Sequence, residues 1–356
     1  MIEAMAREFS AEIIYQVVTP TITKRTSVAT KIDAQFFGGT ELREAISRFD
    51  PDVIYSDHPL YAAQTEISQV FLKPKIPLIL HVRGDFWREY WAWFSREQNW
   101  SYRLGSVRQH SYLWASVLLA RKVTPICKWL EKVILKHVPR KSSEVVYQGV
   151  EPDRFYPEPG MEFQKPAIAI IQNHNIYPKV EGLLKFKPVI DALPKVHFYI
   201  AEGEPVGSTL LSTIKTHYSS SANVEFVPGI ESHAMVRRML SACDCYLLAS
   251  GLDCCPTTVL EASLMRLPVI ASRVGGVPEI ILQNETGWTI DNGSVNEWIE
   301  TITKVLADAK LRRRMGEQGR RWVADTFGWK RVAGQIERIL RDEALNRCSS
   351  PRWSND

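Results

Sequence analysis

Along the second half of the chain, short apolar runs rich in β-branched residues alternate with segments of helical spacing. The apolar runs fall at 167–172, 196–201, 224–227, 245–249 and 268–272, and the helical segments at 179–193, 209–218, 232–242 and 257–266. Strands alternating with helices predict βαβ units and a parallel sheet. Because the runs are apolar throughout, their strands are expected to be covered on both faces. The first half carries the same alternation less cleanly: helical patterns at 2–9 and 41–48, strands at 11–18, 52–56 and 77–82, long helices filling 87–121, and short strands at 123–127 and 144–147. A linker at 151–166, with Pro152, Pro157, Pro159 and Pro166, separates the halves. Helix is expected from 296 to about 346, and a frayed tail from Pro351. Two such domains around a linker predict a cleft, with ligands beyond the C-terminal ends of the strands.

Composition narrows the class. A chain of 356 residues, 45% hydrophobic and 24% charged, is ordinary for a folded protein of two domains and excludes disordered and fibrous classes. No apolar run approaches the ~20 residues of a membrane span. The opening segment MIEAMAREFS is charged and lacks an apolar signal core, which argues against secretion. The six cysteines (Cys127, Cys243, Cys245, Cys254, Cys255 and Cys348) contain no C-x-x-C pair and no accompanying histidine cluster. Reduced thiols in a cytoplasm are expected, with no zinc site.

The net charge of +4 is too small to argue for nucleic acid, but its distribution is uneven. Between 101 and 141 lie nine basic residues (Arg103, Arg108, Arg121, Lys122, Lys128, Lys132, Lys136, Arg140 and Lys141) against Glu131 alone, a local charge of +8. Just upstream are Phe86, Trp87, Tyr90, Trp91, Trp93, Phe94 and Trp100. Basic residues beside aromatic ones suit an anionic membrane surface or a sugar-binding cleft, and equally suit solvated helix faces over an aromatic core.

The segment 250–262, SGLDCCPTTVLEA, concentrates the candidate chemistry. A strand ends near Ser250, a loop carries Asp253, Cys254, Cys255 and Pro256, and a helix begins near Thr257. Main-chain amides at a helix N-terminus bind phosphate. Two carboxylates there, Asp253 and Glu261, suit the vicinal hydroxyls of a ribose and a hexose. Thr258-x-x-Glu261 also has the spacing of a capping box, and spacing alone leaves the two open.

This stretch resembles the E-x7-E region of the family-4 (group 1) retaining glycosyltransferases, which have the two-domain GT-B fold. The resemblance continues in order through LPVIAS at 267–272, VGGVPEI at 274–280 and ETGW at 285–288, and upstream in VEFVPG at 224–229 and ACDCYLLAS at 242–250. It covers about 145–333. It implies an α/β chain with two Rossmann-like parallel-sheet domains facing a cleft. The boundaries are an acceptor-side domain over 1–157, a donor domain over 164–326, and a closing helix over 327–346 that crosses back to the first domain. The first strand of the N-terminal domain, and the glycine-rich loop after it, are expected to be missing; Gly38 and Gly39 do not replace that loop, because no strand leads into them.

By the same resemblance Glu261 holds the ribose of a nucleotide-sugar and Asp253 the transferred sugar. Asp253 stands where Glu is usual, one methylene shorter. The amides of Cys255, Thr257 and Thr258 reach sugar and phosphates, and Ile230 meets the base. Pro256 has no N–H to offer. Lys179 matches the lysine of the pyrophosphate clamp in this order of motifs, though alone it reads as a solvated residue at a helix start. The usual clamp arginine is replaced by Asn173 or His174, which removes a bidentate cation. In the first domain Arg83 occupies the family's histidine position, followed by Gly84, Asp85 and the acceptor-side Trp87. Arg83 can only stabilise charge, since it does not deprotonate. His81, two residues earlier on the same strand face, reads as a satisfied core histidine.

The implied activity is hexosyl transfer from a UDP- or GDP-sugar to a glycan or lipid-linked acceptor, with retention, without metal or other cofactor and without a covalent nucleophile. Asp253, Lys179 and Arg83 are the catalytic candidates. The implied setting is cytoplasmic, with peripheral contact at the inner face of an anionic membrane through 101–141. The alternatives are a catalytically degenerate nucleotide-sugar-binding module and a GT-B sugar-nucleotide epimerase.

Overall fold

The computed structural model describes residues 15–18, 34–37, 51–57, 62, 75–96, 100–174, 176–202, 209–230 and 232–349. The helices expected at 2–9 and 41–48, Gly38 and Gly39, and the tail from Pro351 lie outside these residues. The chain divides into two compact units, one of Met1–Tyr90, Arg96–Gly149 and Trp329–Asp356, the other of Trp91–Ser95 and Val150–Gly328.

The first half contributes strands β1 (Tyr15–Val18), β2 (Ala34–Phe37), β3 (Ile54–Ser56), β4 (Leu78–Val82) and β5 (Lys122–Pro125). β1 pairs with β2, and β3-β4-β5 form a second sheet, both parallel. β2 ends at Phe37, so a strand does lead to Gly38 and Gly39, contrary to the sequence expectation. All five residues of β4 are buried, as expected of a strand covered on both faces. Helices α1 (Phe86–Phe94), α2 (Trp100–Leu119) and α3 (Lys128–His137) follow. Residues 144–147 make no strand: they run beside β5, with the Val146 amide bonded to the Pro125 carbonyl at 2.9 Å, and only Ser143 forms a bridge.

The second unit holds β6 (Ala167–Ile170), α4 (Tyr177–Lys185), α5 (Lys187–Asp191), β7 (His197–Ala201), α6 (Thr209–His217), β8 (Val224–Val227), α7 (His233–Ser241), β9 (Cys245–Leu248), α8 (Thr257–Leu264), β10 (Val269–Ser272), α9 (Val277–Ile280), β11 (Gly287–Ile290), α10 (Val295–Ala307) and α11 (Ala309–Phe327). The helix expected over 179–193 is thus two helices, divided at Phe186, whose ring packs edge-on against Trp298 at 4.9 Å. One parallel sheet carries the strands in the order β11-β10-β9-β6-β7-β8. Its apolar strands supply the core, where Ile168, Ile170, Phe198, Ile200, Leu247 and Trp298 are fully buried.

Residues 151–166 form a short 3-10 turn, Pro152–Arg154, and otherwise no regular structure. They are fastened to the second unit, because the Arg320 guanidinium on α11 donates to the carbonyls of Pro152 (3.2 Å), Phe155 (2.6 Å) and Leu264. The last helix, α12 (Trp329–Ser349), packs Val332, Ala333, Ile336 and Ile339 against Ile79 and Val146 of the first unit.

Candidate functional site

The sheet order of the second unit marks one point where the chain's direction of travel reverses. From β6 the chain moves outward through β7 to β8, then returns to lay β9 on the other side of β6. Loops leaving the C-terminal ends of β6 and β9 therefore diverge and leave a crevice at the sheet edge, the usual ligand position in such sheets. Lys179 follows β6 and Asp253 follows β9. The two meet, with Lys179 Nζ 3.0 Å from Asp253 Oδ2 and both side chains largely buried.

Close main-chain packing makes this meeting possible. Gly182 on α4 lies so near the turn after β9 that a Cβ there would come 2.2 Å from the Ser250 carbonyl carbon. The turn itself is fixed from below: the Ser250 amide donates to Ser272 Oγ at 3.0 Å, and Asn292 Nδ2 donates to the Ser250 carbonyl at 2.9 Å. Gly275, at φ +52°, lets the main chain pass over Asp253, where a Cβ would sit 2.0 Å from the Asp253 carbonyl oxygen. The Gly276 amide donates to that oxygen at 3.1 Å. Tyr246 joins the two loops, its hydroxyl 2.6 Å from the Ile171 carbonyl and 2.7 Å from Thr258 Oγ1. Burial raises the Tyr246 phenol well above the ordinary tyrosine range, so it stays neutral.

The capping-box alternative is corrected by the geometry of α8. Its N-cap is Pro256, with no side-chain cap, which places Thr257 and Thr258 at the first two helical positions. Thr258 bonds to Tyr246 rather than capping its helix. The first-turn amides of α8 thus have no side-chain cap at the N-terminus of a helix that follows the crevice. Cys255 is buried in the loop before Pro256. Glu261, one turn further along α8, is also buried, and burial pushes its carboxyl from the ordinary 4.5 up to about 7. His233 Nε2 lies 4.0 Å from Glu261 Oε1. Ile230 is buried at the end of the loop after β8, beyond Gly229 at φ +74°.

Of the two candidates for the missing arginine, Asn173 is exposed and His174 is buried. His174 Nε2 lies 2.7 Å from the Ala201 carbonyl, which only accepts, so that nitrogen carries the proton. Burial lowers the His174 pKa and keeps the ring neutral, so it supplies no replacement cation. Among the described residues no three His, Cys, Asp or Glu side chains gather as a metal site.

The family model for glycosyl transferases group 1 matches residues 163–322, the span that contains Lys179, Asp253 and Glu261. Residues 163–322 are a group 1 glycosyl transferase domain. Two curated relatives are each 26% identical to this chain. One is N-acetyl-alpha-D-glucosaminyl L-malate synthase of Bacillus anthracis, over 213 residues, 57% of this chain and 55% of the relative. The other is the GDP-mannose-dependent alpha-(1-6)-phosphatidylinositol monomannoside mannosyltransferase of Mycolicibacterium smegmatis, over 220 residues, 57% of each. The chain spans little more than half the length of these relatives. Among solved structures, sucrose-phosphate synthase of Thermosynechococcus elongatus is similar at TM-score 0.68 and 18% identity, covering 87% of this chain and 78% of that one. Anabaena HepE, in complex with UDP and glucose, is similar at TM-score 0.66 and 14% identity, covering 87% and 86%. The fold of the chain is GT-B.

The candidates in the other unit fall differently. Arg83 is half exposed, 3.7 Å from Asp57 Oδ2 and 3.4 Å from Gln148 Oε1. Asp85 is the N-terminal cap of α1, its Oδ1 accepting from the Arg88 amide at 3.1 Å, and Gly84 lies beside Glu89 at the start of the same helix. Trp87 is 5% exposed, stacked on His137 with centroids 5.0 Å apart and edge-on to Trp114. Asp85, expected on the acceptor side, thus also caps a helix, and Trp87, expected there too, is buried. His81 is buried, its Nδ1 3.2 Å from Thr124 Oγ1, as a satisfied core histidine should be. The basic stretch is also partly structural. Lys122 lies 3.4 Å and Arg121 3.5 Å from Glu343, and Lys141 donates to the carbonyls of Leu118 and Ala120 at the end of α2. The aromatic segment does leave Trp91, Trp93 and Trp100 exposed. No helix among the described residues is long and apolar enough to cross a membrane.

His233, Tyr246, Gly182 and Gly275 form this site without having been singled out in the sequence. Tyr246 carried the one available signal, a hydroxyl inside an otherwise apolar strand.

Proposed function

We propose that the chain transfers a hexose from a nucleotide-sugar to a glycan or lipid-linked acceptor with retention of anomeric configuration. The observation that carries this reading is the Lys179–Asp253 pair, 3.0 Å apart, beside the α8 N-terminus at the sheet's reversal point. A nucleoside diphosphate leaving group needs positive charge where its own charge develops. Lys179 supplies a point charge, and the amides of Thr257 and Thr258 supply aligned dipoles that need no reorganisation at the moment of reaction. Asp253 accepts hydrogen bonds from hydroxyls of the transferred sugar, and Glu261 from the two ribose hydroxyls, which fixes the anomeric carbon relative to the acceptor.

With no guanidinium at the second clamp position, one side-chain cation and the helix terminus carry the diphosphate. The names of the relatives support the donor class: one is GDP-mannose-dependent, and HepE was solved with UDP and glucose. The mannosyltransferase acts on a phosphatidylinositol monomannoside, which supports a lipid-linked acceptor. The exposed Trp91, Trp93 and Trp100, close in sequence to the basic residues 101–141, support a peripheral site of action at an anionic membrane.

The experiment is a thermal-shift panel of UDP-, GDP- and ADP-sugars on the purified chain, followed by nucleotide release with and without candidate acceptors. One nucleotide-sugar is expected to raise Tm, and its nucleotide to be released faster with an acceptor. Stabilisation without turnover across all donors and acceptors defeats the transferase reading. Stabilisation by none of the three defeats the donor site.

A further inference from the structure

Glu261 presents a buried carboxylate with 11% of its side chain exposed, and the basic group beside it is His233, Nε2 to Oε1 4.0 Å. His233 is the first residue of α7. Ser232 caps that helix by accepting from the Met235 amide at 3.2 Å, which fixes where the imidazole leaves the main chain. The ring stands edge-on to Phe155, centroids 5.7 Å apart, and 58% of the side chain faces solvent.

Several charged groups on the elements around α8 are engaged elsewhere. Asp253 is paired with Lys179, and Arg237, one turn after His233, with Glu158 at 3.1 Å. On α11, Arg320 serves the main-chain carbonyls of Pro152, Phe155 and Leu264, and Glu317 faces Arg266 at 3.3 Å. Tyr246, from β9, is a neutral phenol bonded to Thr258. Burial lifts the Glu261 carboxyl to about 7, so near neutrality it is divided between its acid and carboxylate forms. Two vicinal hydroxyls are held most strongly by the two charged acceptor oxygens of the carboxylate, whereas protonation turns one of those oxygens into a donor.

We propose that His233 is a positioning residue for Glu261: its imidazolium holds the buried carboxylate ionised and turned toward the nucleotide's vicinal hydroxyls, which extends nucleotide binding to lower pH. This rests on the donor-site reading above. Because His233 is mostly exposed and its helix is capped by Ser232, replacing it leaves the fold in place.

The test is calorimetric titration of the full chain with UDP and with GDP between pH 5.5 and 8.5, for the wild type, His233→Ala and His233→Lys. His233→Ala is expected to weaken binding about three- to fivefold near pH 6.5, little at pH 8.5, and to move the acid limb of the profile to higher pH. His233→Lys is expected to restore the affinity. A His233→Ala profile that matches the wild type, or that is weaker by one factor at every pH, overturns the proposal. So does a His233→Lys variant that behaves as His233→Ala. If the wild type binds neither nucleotide, the donor site itself is refuted, an outcome distinct from an unchanged pH profile.

Discussion

Glu261→Gln should separate stability from binding at a single atom. Glutamine keeps the volume and one acceptor oxygen but has no charge to bury. Glu261 is an acid whose folded-state pKa is raised by burial from 4.5 to about 7. The stability it contributes is therefore complete below pH 4.5 and is lost as pH rises through 7. Above that pH the ionised side chain costs the folded state about 3 kcal/mol relative to a neutral one. The variant is thus expected to be about 3 kcal/mol more stable than the wild type at pH 8, or roughly 6–12 °C in Tm for a unit of this size. The advantage should shrink toward zero near pH 4.5. Urea denaturation of both proteins side by side at pH 4.5, 6 and 8 measures it, and the difference cancels every other titrating group. Nucleotide affinity, read by calorimetry at pH 8, should meanwhile fall by about tenfold or more, because the amide of glutamine faces one hydroxyl with a donor. A stability difference that does not grow with pH, or a variant less stable at pH 8, refutes the burial argument. Undiminished affinity refutes the ribose assignment.

Lys179→Ala leaves Asp253 buried without its partner and is expected to destabilise by about 3 kcal/mol and to abolish transfer, as measured by denaturation and nucleotide release. Gly182→Ala sets a Cβ against the Ser250 carbonyl carbon and is expected to cost about 1–3 kcal/mol and to weaken donor binding, in parallel melts and titrations. Asp85→Ala removes the cap of α1 and is expected to cost about 1 kcal/mol, while Asp85→Asn, which keeps a capping oxygen, retains that stability; a loss of turnover in both folded variants would assign Asp85 to the acceptor side as well. His81, held near 4 by burial and then by Arg83, contributes stability that is complete above pH 6.5 and is lost as pH falls through 4; His81→Gln should flatten that acid limb in circular dichroism melts.

What the sequence made legible follows the range of each interaction. The strands of the second unit were legible because a strand buried on both faces must be apolar at every position, as Ala167–Ile170 and Cys245–Leu248 are. β11 was missed because Gly287–Ile290 carries a glycine and a threonine. Thr289 is satisfied by Gln283, with its amide 2.9 Å from Oε1, a partner the alternation of apolar and polar residues does not reveal. Counting charges over 101–141 overlooked Glu343, more than two hundred residues further on, which takes up Arg121 and Lys122. Trp87 and Asp85 looked functional because an aromatic and a carboxylate beside a loop are equally the parts of a core and a cap. Only the contacts of each side chain separate the two.

The charges of the candidate site are arranged for exchange as much as for holding. Without a ligand Asp253 supplies the anion for Lys179, which spares the lysine an unpaired, partly buried charge. A diphosphate arriving at the same ammonium offers oxygens that compete with Asp253, and a sugar hydroxyl arriving with it offers Asp253 the hydrogen bond it gives up. Neither half of the donor compensates both groups alone. A nucleoside diphosphate without its sugar would draw the lysine away and leave a buried carboxylate with no partner. The intact nucleotide-sugar is therefore expected to bind more tightly than its free nucleoside diphosphate by more than the sugar's own contacts provide. In an Asp253→Asn variant, whose amide needs no counter-charge, that preference should shrink, and titrations of both ligands against both proteins measure it. An unchanged preference would show that Lys179 and Asp253 stay paired when the donor binds, and that the phosphates are held by the α8 amides alone.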